Sequence, residues 1–241
     1  VIEEYQGTAT GRQELQGELL EEAEGALWQR QWIDRRRVEY PPMIDGVVAS
    51  DNLAGAIDPS VTATDNTDEV GIVAAITCEC YCQGAPDMHG FVVADRSGQL
   101  SPHMWAQASV EMYRDYGLPS LVAEVNQGGD LVPLNIHTVD DDVPIETVRA
   151  STGKRTRAEP IANRYEQGRV HHVKRALRYD PERGGLVADP DRDDPEHLAA
   201  LEDQLCNWEP GGRQPSPGRL DAVVWALTHL MVGSRIRIRS L

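Results

Sequence analysis

Apolar residues in this chain recur in two patterns, which together predict an alternation of strands and helices. Short runs rich in Val, Ile, Ala and Leu, bounded by turn-forming residues, are typical of β-strands. Longer segments in which apolar residues recur every three or four positions are typical of helices. The sequence predicts strands at 53–58, 71–81, 90–95, 120–125 and 145–150, and helices at 102–116, 129–138, 157–167, 196–207 and 219–231.

The order of these elements predicts the class of fold. The cluster Gln83–Asp87 favours a turn, so the strands that flank it are expected to form an antiparallel hairpin. Ser101 is placed to cap the helix at 102–116, and Pro102 suits its first turn. Strands that first follow one another and then alternate with helices predict an α/β domain, with a mixed sheet covered by helices on both faces.

Residues 1–45 differ from the rest of the chain. They combine glycines and short helical patches with a charged tail, Asp34–Arg37, and Pro41 and Pro42 then interrupt the chain. We expect residues 1–45 to form an arm or linker that packs on a neighbouring module, and residues 46–241 to form the main domain.

Composition indicates a globular protein. The chain has 241 residues, of which 40% are hydrophobic, so it can bury a sizeable core. No stretch approaches the roughly 18 consecutive apolar residues of a membrane-spanning helix, and the N-terminus does not resemble a signal peptide. A soluble, intracellular protein without membrane association is expected.

The four cysteines fit that expectation. Cys78, Cys80 and Cys82 alternate, so in an extended strand they point to one face, whereas Cys206 stands in a helical pattern. A zinc site is conceivable, but the tight pair spacings typical of structural zinc sites are missing. Packing of the strand is the favoured interpretation, because free cysteine behaves as a small hydrophobe.

Charge is distributed unevenly along the chain. The formal net charge of −16 is unexpected for a protein that binds DNA. The segment from Arg149 to Arg178, however, contains nine cations and two acids. A local basic face can contact phosphates on an anionic protein, because charges beyond a Debye length of about 8 Å are screened. The acidic stretch 176–196 is predicted to be a loop.

Three acids occupy positions suited to a metal site. Asp58 and Glu124 each end an apolar run, and Asp221 opens an apolar helix. A carboxylate at the end of a buried strand is held rigidly yet reaches solvent. Three that converge form an oxygen cage suited to Mg²⁺ or Mn²⁺.

Each of these acids also has a structural explanation. Asp58 could cap a turn, and Asp221 could satisfy the helix dipole, worth about 0.3–1 kcal/mol. Glu124 is harder to explain in this way, because a charge within an apolar strand is costly unless it is paired or bound to a metal. The sequence leaves open whether a further ligand comes from Asp65, Asp68 or Asp130.

Several ordered motifs identify a resemblance that covers nearly the whole chain, from about Tyr5 to Leu230. They resemble the C-terminal nuclease half of tailed-bacteriophage terminase large subunits. Any one acid is weak as a signal, whereas the ordered set is highly specific. The motifs are Tyr5–Glu14, Ala56–Pro59, Asp68–Val73, Ala123–Asp130, Ala150–Ile161, Tyr165–His172 and Ser216–Leu227.

The resemblance implies a ribonuclease H-like fold, whose sheet brings acids from strand one, strand four and the final helix together. By position these are Asp58, Glu124 and Asp221. It also implies a virus-encoded endonuclease that cuts concatemeric DNA during genome packaging in the host cytoplasm. The expected partners are double-stranded DNA, the terminase ATPase half, the small terminase subunit and the portal. The isolated domain is expected to be monomeric.

The chain departs from a full terminase large subunit. It contains no Gly-rich loop ending in Gly-Lys-Ser or Gly-Lys-Thr, so we expect no ATP-driven motor and no ATP hydrolysis. Residues 1–45 are then interpreted as an arm from the missing ATPase half, and 46–241 as the nuclease domain. The acidic stretch 176–196 is longer than the family's usual connection.

The implied chemistry is phosphodiester hydrolysis by two divalent ions about 3.5–4 Å apart. Asp58 would bridge both ions, Glu124 would complete one and Asp221 the other. Lys154, in a Gly-containing loop, and Arg157 are expected to contact DNA phosphates. Two neighbouring histidines, His171 and His172, are expected to be surface or strand residues rather than metal ligands.

Two other functions stay open at this point. One is a different ribonuclease H-like nuclease, such as a resolvase or transposase core, which would prefer branched or end-specific DNA. The other is a non-catalytic module that docks a packaging motor onto a procapsid.

Overall fold

A computed structural model describes residues 25–59, 69–125, 131–192, 194–212 and 217–232. Its strands are β1 (Met43–Ile44), β2 (Val47–Val48), β3 (Asn52–Asp58), β4 (Gly71–Cys80), β5 (Asp87–Asp95), β6 (Leu121–Glu124), β7 (Ile145–Val148), β8 (Val170–His172), β9 (Leu177–Asp180) and β10 (Gly185–Ala188). Its helices are α1 (Arg30–Asp34), α2 (Pro102–Tyr116), α3 (Leu131–His137), α4 (Lys154–Glu166), α5 (Ala199–Asn207) and α6 (Gly218–Met231), with a 3₁₀ turn at Pro190–Arg192. Of the helices described, none has the length and apolar character that crossing a membrane requires.

Six strands form one mixed sheet in the order β7-β6-β3-β4-β5-β8. The central strands β3, β4 and β5 are antiparallel neighbours. The turn at Gln83–Asp87 predicts the hairpin of β4 and β5. Strand β6 pairs in parallel with β3, β7 with β6, and β8 with β5. Strand β4 is buried on both faces along most of its length, which explains its unbroken apolar sequence.

Alternate residues of β4 pack into two separate cores. Ile72, Ala74 and Ile76 pack with apolar residues of α2 and α3 on one face of the sheet. Val73 and Ala75 pack with those of α4, α5 and α6 on the other. The predicted α/β class is therefore confirmed: the domain has a mixed sheet with helices on both faces.

Helix α4 begins earlier than the sequence predicts. It starts at Lys154 instead of 157, and Gly153 in extended conformation precedes it. Lys154 therefore lies in the first helical turn, and the prediction that it occupies a loop was wrong. The consequence is that Lys154 and Arg157 lie one turn apart on a rigid element.

The acidic stretch 176–196 was predicted to be a loop. This prediction was wrong, because the stretch contains the antiparallel hairpin β9–β10. Asp180 ends β9, and its side chain accepts a hydrogen bond from the backbone N–H of Glu182 at 3.0 Å. Gly184, with φ +67°, completes the turn. Leu186 in β10 is fully buried in the core that also contains Ile72 and the apolar residues of α2. Asp180 therefore stabilises the turn of the hairpin through its side chain. In the sequence it appeared only as one of several acids.

The described part of the predicted arm packs onto the domain. Trp28 and Ile33 are each 1% exposed and lie in the core formed by α4, α5 and α6. Trp28 makes an edge contact with Tyr165 of α4, with ring centroids 6.1 Å apart. The boundary at residue 45 stays a prediction, and residues 1–24 lie outside the described part of the chain.

Candidate active site

Asp58 and Glu124 lie side by side at one end of the central sheet. Asp58 is the last residue of β3 and Glu124 the last of β6, and these parallel strands pair Ile57 with Ala123. Because neighbouring strands are about 4.8 Å apart, the next residue of each strand brings the two acids to adjacent positions. Ala56 packs towards α6, so the period of the strand turns the Asp58 side chain to the same face.

Helix α6 brings the third carboxylate to this edge. Asp221 lies in the first turn of α6 and is only 3% exposed. Just before it, Gly218 lies against the start of β4, where a Cβ on Gly71 would come within 1.9 Å of the Gly218 carbonyl oxygen. A Cβ on Gly218 would lie 2.4 Å from the Glu69 carbonyl oxygen. Both glycines are therefore needed for the close backbone approach that places Asp221 over the strand ends.

Arg219 fastens the same end of α6 to the sheet. Its Nε donates to Glu69 Oε1 at 2.8 Å, and Nη1 forms an ion pair with Asp95 at the end of β5. Nη2 donates to the Ser97 carbonyl oxygen at 3.1 Å. These contacts hold the helix that carries Asp221, and sequence reasoning did not identify Arg219 for this role.

Trp225 orients the buried Glu124. The indole Nε1 donates to Glu124 Oε2 at 2.6 Å. Sequence reasoning missed this residue too, although a signal was present. Trp225 follows Asp221 by four positions, and residues with that spacing lie on one face of a helix.

Two cations of α4 extend into the group of acids. Lys154 Nζ forms an ion pair with Asp221 Oδ2. Arg157 Nη2 lies 3.4 Å from Asp221 Oδ1 and 3.8 Å from Glu124 Oε2, and its guanidinium stacks 5.1 Å from the Trp225 ring centroid. A single nitrogen thus contacts two acids that are far apart in the sequence.

Electrostatics within this group disfavour full ionisation. Burial raises the pKa of Asp58 well above its ordinary value, and the neighbouring charges of Asp221 and Glu124 raise it further, against the opposing effect of Lys154 and Arg157. Burial also raises the pKa of Asp221, although Lys154 and Arg157 oppose it. Buried carboxylates that repel one another have a strong electrostatic preference for a divalent cation.

The structure brings the three acids singled out in the sequence to one edge of the sheet and adds the cations Lys154 and Arg157 to them. Their roles as metal ligands and DNA contacts stay predictions. Three acids considered as additional ligands lie outside the described residues: Asp65, Asp68 and Asp130.

The other cations of the basic segment Arg149–Arg178 do not all serve one surface. Arg169 pairs with an acid of β5 at 2.6 Å. Lys174 and Arg175 both pair with Glu39, at 3.1 and 2.8 Å. Part of the segment therefore neutralises nearby acids, among them Glu39, which lies before β1.

The two histidines beside the basic segment are strand residues. His171 and His172 lie in β8 and are 2% and 1% exposed, so neither is at the surface. Of the three alternating cysteines, Cys78 is fully buried in the core, as predicted from strand packing. Cys82 lies beyond the end of β4 and is exposed.

No protein-family model matches this sequence, and no curated protein matches it. Among solved structures, the chain is similar to the human cytomegalovirus terminase nuclease domain, manganese-soaked and inhibitor-bound. That likeness has a TM-score of 0.56 at 15% identity and covers 89% of this chain and 100% of the other. The chain has the terminase nuclease fold. It is also similar to the nuclease domain of the large terminase subunit gp2 of bacterial virus Sf6, with a TM-score of 0.52 at 12% identity, over 84% of this chain and 98% of that one.

These likenesses confirm the resemblance to terminase nuclease domains at the level of the fold. At identities of 15% and 12%, these likenesses show the fold alone. Within the terminase nuclease fold described here, the three acids lie at the ends of β3 and β6 and at the start of α6, which are the elements from which the resemblance predicted them.

Proposed function

We propose that this chain is a metal-dependent endonuclease that cuts double-stranded viral DNA during genome packaging. The observation that carries the proposal is the convergence of Asp58, Glu124 and Asp221 at one edge of the sheet. Two of them, Glu124 and Asp221, are nearly fully buried. Lys154 and Arg157 supply two positive charges to three converging carboxylates, so one acid of the group has no counter-charge among them and a divalent cation would stabilise it.

The donor set fits hard divalent cations. All three groups offer carboxylate oxygens, which Mg²⁺ and Mn²⁺ prefer. Burial first, and repulsion by Asp221 and Glu124 second, raise the pKa of Asp58, and a bound cation would offset both effects. Asp58, Glu124 and Asp221 would hold two ions. When bound, these would activate the attacking water and stabilise the leaving oxygen of a phosphodiester.

The neighbouring side chains position the acids and the substrate. Trp225 fixes one oxygen of Glu124, leaving the other for a ligand. Lys154 and Arg157 border the acids, where positive charge can contact the phosphate beside the scissile bond. Because these contacts are to phosphates, little preference for DNA sequence is expected.

The context of packaging comes from the proteins that share the fold, which are terminase nuclease domains of human cytomegalovirus and of bacterial virus Sf6. By analogy, the partners are double-stranded DNA, a terminase ATPase half, a small terminase subunit and a portal. The protein would be virus-encoded and act in the host cytoplasm. Fold-level analogy of this kind needs a test at the site itself.

Cleavage of plasmid DNA tests the proposed activity. We expect nicking and linearisation in Mn²⁺ or Mg²⁺, complete inhibition by EDTA, and similar cleavage of a linear duplex and of a four-way junction of matched length. Cleavage confined to the junction would contradict the packaging assignment and favour a resolvase. No cleavage in Mg²⁺, Mn²⁺ or Co²⁺ would contradict the nuclease assignment and favour a docking module.

Replacing Lys154 with alanine tests the proposed DNA contact. We expect the half-saturating concentration of DNA to rise several-fold, about equally for all sequences. The slope of log affinity against log salt should fall by about one, because one phosphate contact is lost. The matched control is Arg155→Ala, since Arg155 is exposed and pairs with Glu159 at 2.7 Å, away from the acids. Equal effects of the two substitutions would contradict a specific role for Lys154.

A further inference from the structure

Four potential metal ligands meet at the other end of the sheet. Cys80 is the last residue of β4, Cys82 follows in the turn, His89 lies in β5 and His171 in the adjacent strand β8. Their ligand atoms all lie within 4.8 Å of one another. We refer to these four residues as the Cys/His cluster.

Distances within the Cys/His cluster resemble those of a tetrahedral zinc site. Cys82 Sγ lies 3.6 Å from His89 Nδ1 and 3.7 Å from His171 Nε2. For Zn–S bonds of about 2.3 Å and Zn–N bonds of about 2.05 Å, a tetrahedron places sulfur and nitrogen about 3.5 Å apart. The two histidine nitrogens are 2.8 Å apart, and they would need to separate by about 0.5 Å to reach the tetrahedral spacing.

The groups around the cluster orient its ligands towards a common centre. His171 Nδ1 is 2.9 Å from the Arg36 carbonyl oxygen and can only donate to it, which leaves the Nε2 lone pair directed at the cluster. A carbonyl in this position is the usual partner of a metal-bound histidine. The backbone N–H of Cys82 donates to Cys80 Sγ at 3.3 Å, a contact that favours a thiolate.

His89 has no other polar role among the described residues. Its side chain is fully buried, and its Nε2 has no hydrogen-bond partner there. The polar contacts of this ring are therefore confined to the cluster. Its Nδ1 faces both Cys82 Sγ, at 3.6 Å, and His171 Nε2, at 2.8 Å, which is where a ligand of a shared metal ion would lie.

We propose that the Cys/His cluster binds one structural Zn²⁺ ion. Two sulfur and two nitrogen ligands favour tetrahedral zinc, and four protein ligands leave no open position for catalysis. The ion would join the β4–β5 turn to the edge strand β8. Through the Arg36 carbonyl, it would also stabilise the segment that precedes β1.

This site is separate from the candidate active site. Asp58 pairs with Gly71 at the start of β4, whereas Cys80 ends that strand. At about 3.4 Å per residue, β4 spans about 30 Å. The zinc site and the carboxylates can therefore be tested independently.

Zinc content and affinity provide the first test. Protein produced in zinc-supplemented medium and washed to remove weakly bound ions should retain about one zinc per chain by elemental analysis. Cys82→Ser should weaken zinc binding at least about 100-fold in a chromophoric chelator competition, since loss of an outer partner alone costs 10–100-fold. Cys82 is exposed, so this variant should fold. The control Cys78→Ala, at a cysteine of β4 that is not part of the Cys/His cluster, should retain zinc.

Cobalt replacement identifies the ligands independently of cleavage. We expect Co²⁺-loaded protein to show thiolate-to-cobalt charge-transfer absorption and the strong visible bands of a tetrahedral site. Asp58→Asn should leave both unchanged, and Cys82→Ser should remove the thiolate absorption or reduce it sharply. The proposal is overturned if wild-type protein retains no zinc, if Cys82→Ser binds zinc as tightly as wild type, or if the cobalt spectrum shows oxygen ligands only.

Discussion

Replacing Asp58 with asparagine should reduce DNA cleavage at least about a thousandfold in Mn²⁺ while increasing the stability of the fold. The loss of activity follows from removing a charged ligand from a site whose ions contribute several kcal/mol to transition-state stabilisation, since each 1.36 kcal/mol is a factor of ten. Plasmid cleavage at saturating DNA measures this effect. Cleavage by Asp58→Asn within tenfold of wild type would remove Asp58 from the catalytic set.

The gain in stability has a separate cause. The folded state raises the pKa of Asp58, so it holds the Asp58 proton more tightly than the unfolded chain does. This contribution to stability is lost as the pH rises through the range between the two pKa values. Asparagine resembles the protonated acid at all pH values. Without divalent ions, we therefore expect a gain of about 0.5–2 kcal/mol at neutral pH that disappears in acid.

Thermal unfolding with and without Mn²⁺ links the two effects. Wild-type protein should gain stability as Mn²⁺ is added, because an ion that binds only the folded state stabilises it. Asp58→Asn should gain much less. The control is Glu111→Gln, an exposed acid of α2, which covers the other face of the sheet. A Mn²⁺ response in Asp58→Asn equal to that of wild type would place the ion elsewhere.

The second large effect is expected at Glu202, which lies at the centre of a buried ionic network. Glu202 is fully buried, and both its oxygens accept hydrogen bonds from Arg37, Nη1 at 2.5 Å to Oε1. His172 Nδ1 donates to Oε1 at 2.9 Å, and the other nitrogen of this ring accepts from the Tyr165 hydroxyl at 2.9 Å. The network joins α1 and its C-terminal extension to α5 and β8.

Glu202→Gln should lower the free energy of unfolding by about 3–5 kcal/mol, because it leaves the buried Arg37 guanidinium without its main counter-charge. Urea unfolding monitored by circular dichroism measures the loss. Asp203→Asn on the same helix is the control. Asp203 pairs with Arg30 at 2.5 Å but is 35% exposed, so about 1 kcal/mol or less is expected. Similar losses for both variants would contradict the role given to burial.

The difference in unfolding free energy between wild type and Glu202→Gln should decrease at low pH. Burial tends to raise the pKa of Glu202, but His172 and Arg37 lower it from 4.5 to about 2. The stabilisation by this carboxylate is therefore complete above about pH 4.5 and is lost as the pH falls towards 2. The difference in unfolding free energy between the two proteins should therefore become smaller as the pH falls from 4.5 towards 2. A gap that is constant with pH would show that the carboxylate is not ionised in the folded protein.

The sequence alone predicted most of the central sheet and its covering helices. Strands β3 to β7 and helices α2, α3, α5 and α6 match predicted segments to within a few residues. Most of them contain a run of apolar residues or a helical period, which the sequence shows directly. Some elements were not predicted, for physical reasons. Strand β8 has only three residues, too few for a period, and the turn at Asp180 was hidden within an acidic stretch.

The acids of the candidate site were recognisable in the sequence, but their convergence was not. Asp58, Glu124 and Asp221 could be found in the sequence, since an acid that ends an apolar run or opens an apolar helix is conspicuous. Their convergence needed the sheet order, which places β6 beside β3, and the close approach of Gly71 and Gly218.

What the sequence determined by itself was the local conformation of each segment and the type of chemistry its side chains could supply. Only the tertiary structure decided which side chains meet. It turned Lys154 and Arg157 towards the acids, buried Glu202 between arginines, and brought His171 to the cysteines of the β4–β5 turn. Local hydrophobic periodicity fixes secondary structure, whereas contacts between distant segments depend on how strands order and pack, which no single segment encodes.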